Sequence, residues 1–111
     1  MAPGLTRLSA TDIAAALRSR ELGAVEVLEA HLTVIERLNP RLNAIVTLAA
    51  HAARATAESA DKRFAAGGDE LPPLLGLPVV IKDIVETAGM RTTWASPVYA
   101  DHVPEEDAEV V

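Results

Sequence analysis

The apolar residues of this chain are mostly small, and this limits the core that 111 residues can build. Half of the residues are hydrophobic, yet 21 residues are alanine and aromatic residues make up only 3%. Because burial stabilises a fold roughly in proportion to apolar area, each alanine contributes little. The length suits one small domain, and no cysteine is present to add a disulfide. As a complete domain, the chain would have a thin core.

The charge balance and the N-terminus exclude several classes of protein. The chain has 10 Lys and Arg residues and 16 Asp and Glu residues, which gives a net charge of -6. This balance argues against the basic patch of a nucleic-acid-binding module. No apolar run is long enough to span a membrane, and residues 1–5 lack the basic and then apolar stretch of a secretory signal. We therefore expect a cytoplasmic protein that binds neither a membrane nor, directly, a nucleic acid.

Capping and periodicity predict two helices in the first part of the chain. Ser9 can cap a helix over residues 10–19, because an acidic residue follows three positions later. A second helix is predicted over residues 24–38, and Asn39-Pro40 is expected to end it, because the residue before proline avoids the helical region. The apolar face of this second helix recurs at spacings of three and four and comprises Val25, Leu28, Leu32, Ile35 and Leu38.

A third, alanine-rich helix is predicted over residues 49–66, with Gly67-Gly68 as its end. A stripe of small side chains can approach another element closely but gains little apolar burial. We therefore expect this helix to pack on a larger body. The stripe consists of Ala49, Ala53, Ala57, Ala60 and Phe64.

The rest of the chain predicts strands and the start of one more helix. The short β-branched segment 44–48 is predicted to form a strand or a buried extended stretch. Residues 77–82 are apolar on both faces, which is typical of a strand covered on both sides in an α/β sheet. A helix is predicted to start over residues 104–111, because Pro104 suits a first helical position and acidic residues follow it.

Lys82 and Asp83 close the second predicted strand, and ligands collect at the carboxyl ends of strands in open α/β sheets. Lys82 has two possible interpretations. It is either a solvated charge at a strand end, since lysine is seldom buried, or a base in a desolvated site, since burial favours the neutral form of a lysine. Spacing alone leaves both interpretations open.

Four pieces follow one another along residues 8–111: the helix after Leu8-Ser9-Ala10, the segment from Val25 to the Leu38-Asn39-Pro40 junction, the Gly-x-Pro-x-x-x-Lys-Asp strand from Gly76 to Asp83, and the loop Gly89-Met90-Arg91-Thr92-Thr93. In this order they resemble the N-terminal part of the amidase signature family. The resemblance implies an α/β fold in which helices flank a mixed β-sheet, with only the N-terminal part of it in this chain.

The same resemblance implies a Ser, cis-Ser, Lys catalytic triad whose lysine is Lys82. The family's two serines lie downstream in a glycine- and serine-rich segment that this chain lacks, so we expect the isolated chain to be inactive. Its own serines, Ser9, Ser19, Ser59 and Ser96, do not lie in such a segment.

We expect no cofactor and no metal site. His31 and His51 have no further ligand at metal spacing, and we expect both on helix surfaces.

The resemblance leaves the substrate and the setting of the chain open. Ile84 follows the Lys-Asp pair, where the A subunits of tRNA-dependent amidotransferases usually have asparagine, and this favours a stand-alone amide hydrolase over such a component. Trp94 departs from the small residues that often follow the Thr-Thr pair. The chain is then the N-terminal piece of an amidase acting on a small-molecule amide, a non-catalytic interaction module, or one half of a split enzyme. The last two imply a complementary chain or self-association.

Overall fold

The computed structural model describes residues 4–111, which divide into two units. Residues 1–3, part of the N-terminal stretch inspected for a signal, lie outside the described residues. The first unit covers residues 4–42 and 50–78 and contains the α-helices. The second covers residues 43–49 and 79–111 and consists of turns, bends and the 3₁₀ helix Pro97–Tyr99.

Three α-helices and a 3₁₀ helix, Leu5–Arg7, build the first unit. They are α1, Ala10–Arg18; α2, Ala24–Leu42; and α3, Ala50–Ala66. At the start of α1 the Ser9 hydroxyl accepts a hydrogen bond from the Asp12 N–H at 3.1 Å, the cap expected from the sequence. The helices bury one apolar core, made of Leu5, Ile13, Leu17, Ala24, Val27, Leu28, Ala30, Leu32, Ala57, Ala60 and Phe64.

The apolar face predicted for α2 is buried only in the N-terminal half of the helix. Leu28 and Leu32 lie in the core, whereas Leu38 is 39% exposed. Val27, outside the predicted stripe, is fully buried. This half of α2 packs against α3 and the Leu5–Arg7 turn, so its contacting surface is wider than one stripe.

The N-terminus of α2 is capped by a side chain from α3. The Asp61 carboxylate accepts hydrogen bonds from the Ala24 N–H at 2.6 Å and the Val25 N–H at 3.2 Å. Free N–H groups at a helix start need such acceptors, and a side-chain cap contributes about 1 kcal/mol. Because Ala24 and Asp61 are 37 residues apart, this cap depends on the packing of α3 against α2.

The second helix continues through Pro40, although the sequence predicts its end there. α2 reaches Leu42 with Pro40 inside its last turn. Proline lacks the N–H that would bond to the carbonyl four residues earlier, but in a last turn this removes only one hydrogen bond. The helix ends instead before Asn43, whose φ of 48° lies in the left-handed region favoured after helix ends.

An ion pair joins α2 to α3 on the surface of the first unit. The Arg54 guanidinium donates to both carboxylate oxygens of Glu29, with Nε at 2.5 Å from Oε1 and Nη2 at 3.2 Å from Oε2. The hydrogen bond from Arg54 is the main reason that the pKa of Glu29 lies below its ordinary value. Both side chains are close to half exposed, so this pair adds little stability.

Neither of the predicted strands is formed among the described residues. Residues 4–111 include no β-strand, so the mixed sheet is not seen in this structure. No backbone hydrogen bond joins residues 79–81 to other described residues, and Val79 and Val80 are 72% and 78% exposed. A strand exists only as part of a ladder with a neighbour, and no described segment forms a ladder with residues 44–48 or 77–82.

The helix predicted over residues 104–111 is also absent from the described chain, because other acceptors take its backbone bonds. In a helix, the Ala108 N–H would bond to the Pro104 carbonyl. Here Ala108 donates to the Glu86 carbonyl at 2.8 Å, and the Pro104 carbonyl accepts from Gly89 at 3.0 Å. Asp107 uses its carboxylate to accept from the Ala88 N–H at 2.6 Å. The segment therefore forms hydrogen bonds with residues 86–89 instead of forming a helix.

Candidate functional site

Lys82, the predicted catalytic residue, is exposed at the start of a turn in the second unit. Its carbonyl accepts a hydrogen bond from the Val85 N–H at 2.9 Å, which closes the turn. Within residues 4–111, no carboxylate or hydroxyl bonds to its ammonium group, and Asp83 is engaged elsewhere. The described residues therefore hold the backbone of Lys82 but do not enclose its side chain.

Asp83 binds the Thr-Thr loop, which is ten residues away in sequence. One carboxylate oxygen accepts from the Thr93 N–H at 2.8 Å, and the other accepts from the Thr93 hydroxyl. The Asp83 carbonyl also accepts from the Trp94 N–H at 2.9 Å. These three bonds, here called the Asp83 clamp, hold the loop against the residue that follows Lys82. The sequence motifs link the two segments only by their order, whereas the clamp joins them in space.

The clamp lowers the pKa of the Asp83 carboxyl below its ordinary value of 3.8. The hydrogen bond from the Thr93 hydroxyl contributes most, the Thr93 N–H follows, and the Arg91 guanidinium adds a smaller effect. All three favour the charged form of the carboxyl. The pKa of Asp83 is lower in the folded chain than in the unfolded chain. The two carboxylate bonds of the clamp therefore contribute their full stability above pH about 4, and this stability is lost as the pH falls through the folded-state pKa.

We expect Thr93→Val to raise the pKa of Asp83 towards its ordinary value, because the substitution removes the hydroxyl donor and keeps the side-chain shape. NMR titration of the Asp83 carboxyl carbon measures this change. Thr92→Val is the matched control, since the Thr92 hydroxyl donates to the Met90 carbonyl at 3.2 Å and not to Asp83. An Asp83 pKa that is equal in the Thr93 variant and the unsubstituted chain would contradict the clamp.

The Thr-Thr loop is also held from its other side. Thr92 is 3% exposed, and its N–H donates to the His102 carbonyl at 2.9 Å. The Arg91 guanidinium donates to the Ala100 carbonyl at 2.9 Å and the Val46 carbonyl at 3.0 Å. Arg91 therefore joins two other segments of the second unit, at Val46 and Ala100, to the loop. The sequence places Arg91 in the loop but carries no local signal for its two distant acceptors.

The second unit has almost no apolar core. Of residues 43–49 and 79–111, only Thr92 and Pro104 are buried. Backbone and side-chain hydrogen bonds hold this unit together, while many of its large apolar side chains are exposed. The exposed set is Val46, Leu48, Val79, Val80, Ile81, Ile84, Trp94, Val98, Tyr99, Val103, Val110 and Val111.

Three of the four serines have local roles in the backbone. Ser9 caps α1, the Ser19 hydroxyl donates to the Ala16 carbonyl at 3.2 Å, and the Ser96 hydroxyl accepts from the Val98 N–H at 3.3 Å. Such contacts are usual for hydroxyls at helix ends and turns. None of them brings a serine to the Lys82 ammonium among residues 4–111.

Metal-ligating side chains are scattered over the part of the chain that the structure describes. Among residues 4–111, no three His, Cys, Asp or Glu side chains are grouped so that they could hold a metal ion. On α2, the His31 ring lies against a backbone carbonyl, with Nδ1 at 2.8 Å from the Val27 oxygen. None of the helices described combines the length and apolar character needed to cross a bilayer.

Comparison with known sequences decides the family. The profile of the Amidase family matches residues 26–111, which include the Lys82 turn, the Asp83 clamp and the Thr-Thr loop. This chain belongs to the amidase family. The match extends over most of the chain, so it includes residues from both structural units of this family member.

Curated relatives of this amidase-family chain include A subunits of glutamyl-tRNA(Gln) amidotransferases. That of Geobacter metallireducens is 44% identical over 95 residues, 86% of this chain and 19% of that protein. That of Roseiflexus sp. is 42% identical over 107 residues, 96% of this chain and 22% of the relative. That of Alkalilimnicola ehrlichii is 46% identical over 100 residues, 90% of this chain and 20% of the relative. The chain thus spans about a fifth of the length of these relatives.

Proposed function

We propose that this chain is the N-terminal part of an amide-hydrolysing enzyme in which Lys82 is the general base. The observation that supports this most directly is the Asp83 clamp, which fixes the backbone next to Lys82 inside the region matched by the family. A base acts only when its position is held, and hydrogen bonds from an adjacent residue supply that hold. The α/β fold with a mixed sheet belongs to the same proposal, since residues 77–82 need neighbouring strands.

In the proposed reaction, a serine hydroxyl attacks the amide carbon. Its proton passes through the hydroxyl of the cis-serine to the neutral Nζ of Lys82, while backbone N–H groups stabilise the oxyanion. When the carbon–nitrogen bond breaks, Lys82 returns the proton to the leaving nitrogen, and ammonia or an amine departs. Water then attacks the acyl-serine ester and releases the acid. The two serines and the oxyanion donors come from residues outside the 111 of this chain.

Two settings for this chemistry remain as candidates within the family. Ile84, after the Lys-Asp pair, favours a stand-alone hydrolase of small-molecule amides. The names of the relatives favour the A subunit of a tRNA-dependent amidotransferase, which works with other subunits. In both settings the enzyme to which this chain belongs acts on an amide. We propose a cytoplasmic location, with which the lack of cysteine is compatible. We propose no cofactor and no direct contact with nucleic acid or membrane.

The exposed apolar residues of the second unit support a complementary polypeptide, either the continuation of this chain or a separate one. A non-catalytic interaction module is the alternative, and it uses the same surface without need of Lys82. Self-association through this surface is a further form of that alternative. A measurement of catalytic activity distinguishes the enzyme from the interaction module and from its self-associating form.

The proposal is tested by measuring ammonia release from acetamide and glutamine with two proteins. The purified 111-residue chain is expected to be inactive, because it lacks the two serines of the proposed triad. The second protein joins this chain to the part of the Roseiflexus relative that follows the matched region, and we call it the Roseiflexus fusion. We expect the fusion to release ammonia.

Two results would contradict the proposal. The first is a Roseiflexus fusion that unfolds cooperatively, and so is folded, but releases no ammonia. The second is turnover by the 111-residue chain alone that disappears in Lys82→Ala. To compare the two settings, Ile84→Asn is placed in the fusion. A gain in amide transfer to glutamyl-tRNA(Gln) with the other subunits present favours the amidotransferase setting, whereas no gain favours the hydrolase.

A further inference from the structure

The guanidinium of Arg91 bonds to two backbone carbonyls from different parts of the second unit. Nη1 donates to the carbonyl of Ala100, the residue after the 3₁₀ helix Pro97–Tyr99, and Nη2 donates to the carbonyl of Val46. Val46 lies in the segment that joins α2 to α3. A guanidinium presents its N–H groups in a rigid, planar fork, so one side chain can hold two acceptors at a set separation.

The two residues after Arg91 connect this anchor to Asp83. Thr92 is buried and its N–H donates to the His102 carbonyl, while Thr93 donates its N–H and its hydroxyl to the Asp83 carboxylate. After these two Thr93 bonds, the charge of the Arg91 guanidinium also helps to lower the pKa of Asp83. Arg91 is therefore linked to Asp83 both along the chain and by charge attraction.

The Asp83 clamp reaches Lys82 through one peptide group. The clamp bonds Asp83 at both carboxylate oxygens and at its carbonyl, which fixes the orientation of this residue. The peptide group between Lys82 and Asp83 is planar, so a fixed Asp83 also restricts the α-carbon of Lys82. The same peptide group is bonded at the Lys82 carbonyl by the Val85 N–H. The backbone from which the Lys82 side chain extends is thus held at both residues.

We propose that Arg91 is a positioning residue for Lys82: it holds the Thr-Thr loop in place, and through the Asp83 clamp it fixes the backbone from which the lysine acts. This inference rests on the proposed function, in which Lys82 is the general base. Arg91 acts on the reaction only through the clamp. A base has to meet its proton at hydrogen-bond distance, and a misplacement of about 1 Å can lower the rate by about 10²-fold.

Removal of the Arg91 side chain is expected to release the loop without unfolding the helices. Arg91 is exposed and lies outside the apolar core of the first unit, so the carbonyls that it leaves can bond to water instead. In the 111-residue chain, we expect Arg91→Ala to speed amide hydrogen exchange at Thr92 and Thr93 about tenfold, with no change at the amides of α2. Arg63→Ala is the control, because it removes the same charge from an exposed position on α3.

The effect on catalysis is measured in the Roseiflexus fusion, with kcat taken per folded molecule from urea unfolding. We expect Arg91→Ala to lower kcat about 30-fold and to leave KM almost unchanged, since Arg91 is proposed to place the base and not to bind the substrate. Arg91→Lys keeps the charge but replaces the fork with one ammonium group, and we expect its kcat to stay about tenfold low. Arg63→Ala is expected to keep the kcat of the unmodified fusion.

A double-mutant cycle tests whether Arg91 acts through Asp83. Asp83→Ala removes both carboxylate bonds of the clamp and is itself expected to lower kcat. If the effect of Arg91 passes through these bonds, the two substitutions are not additive. We therefore expect Arg91→Ala to lower kcat by a further factor of about two at most when Asp83 is already alanine.

Several results would overturn this inference and leave the proposed function in place. They are an active fusion whose kcat per folded molecule is unchanged by Arg91→Ala, full activity in Arg91→Lys, additive losses in the cycle with Asp83, and unchanged exchange at Thr92 and Thr93 in the 111-residue chain. A fusion that is folded but inert without any substitution has a different meaning. It would overturn the proposed function, and the inference about Arg91 with it.

Discussion

Lys82→Ala in the Roseiflexus fusion is expected to lower kcat for ammonia release by about 10⁴-fold. Members of a catalytic triad act as a unit, and removing one leaves only the rate enhancement due to binding and the oxyanion donors. Because Lys82 is proposed to take the serine proton and return it to the leaving nitrogen, both proton transfers of the acylation step lose their carrier. KM is expected to change little, since Lys82 is proposed to carry protons and not to hold the acyl group.

The chain offers a matched control for this substitution. Lys62 is its only other lysine and is exposed on α3, so Lys62→Ala removes the same charge away from the site. We expect its kcat to equal that of the unmodified fusion. Lys82→Arg provides a second control, because arginine keeps the positive charge but does not deprotonate in proteins. Its kcat is expected to fall as far as that of Lys82→Ala.

Comparable kcat values for Lys82→Ala and Lys62→Ala would refute the role of Lys82 as a base. An arginine variant that keeps activity would show that a fixed charge suffices at this position, which also contradicts proton transfer. Circular dichroism of each variant, compared with that of the unmodified fusion, checks that the fusion is folded.

Gly76→Ala is expected to lower the free energy of unfolding by about 3 kcal/mol. Gly76 has φ of +81°, where an alanine is strained by about 1 kcal/mol. An added Cβ would also lie 3.1 Å from Leu17 Cδ1, 3.1 Å from Phe64 Cε2 and 3.3 Å from Ala24 Cβ. Overpacking of this kind costs about 1–3 kcal/mol more. The first glycine of the Gly-x-Pro-x-x-x-Lys-Asp motif is thus required by close packing of the three helices.

Gly67→Ala separates the two causes of this destabilisation. Gly67 follows α3 with φ of +74°, but an added Cβ there would meet no atom within 4 Å. This variant therefore carries the backbone strain without the collision, and we expect a loss of about 1 kcal/mol. Urea unfolding followed by far-UV circular dichroism measures both variants, since the α-helices lie in the first unit. Equal losses in the two variants would show that the contacts around Gly76 can relax.

The two units of this chain are stabilised by different kinds of interaction. The first has a buried core of leucine, isoleucine, valine, alanine and phenylalanine side chains, to which alanines of both α2 and α3 belong. The second has hydrogen bonds around Asp83, Arg91 and Asp107 and an exposed apolar surface. Lys82 belongs to the second unit. The part of the chain proposed to carry chemistry is therefore the part whose large apolar side chains are mostly exposed.

Features with a cause inside a few residues can be predicted from the sequence. The Ser9 cap, the apolar spacing within α2 and the positive φ at Gly67 after α3 arise from neighbours in the chain. The order of motifs from residue 8 onwards is enough to identify the amidase family, which the profile match confirms. Lys82 is singled out by that order, since its spacing to other residues is equally compatible with an exposed charge.

Only the tertiary structure decides features whose partners are far apart in sequence. Asp61 caps α2 from α3, Asp83 clamps Thr93, and the Glu86 carbonyl takes the N–H of Ala108 that a helix would have used. A donor can bond to any acceptor that folding brings near it, whereas a short stretch of sequence contains only the acceptors that are near in the chain. The strands predicted over residues 44–48 and 77–82 would depend on partners in the same way, because β-branched composition favours a strand but the ladder requires a neighbour.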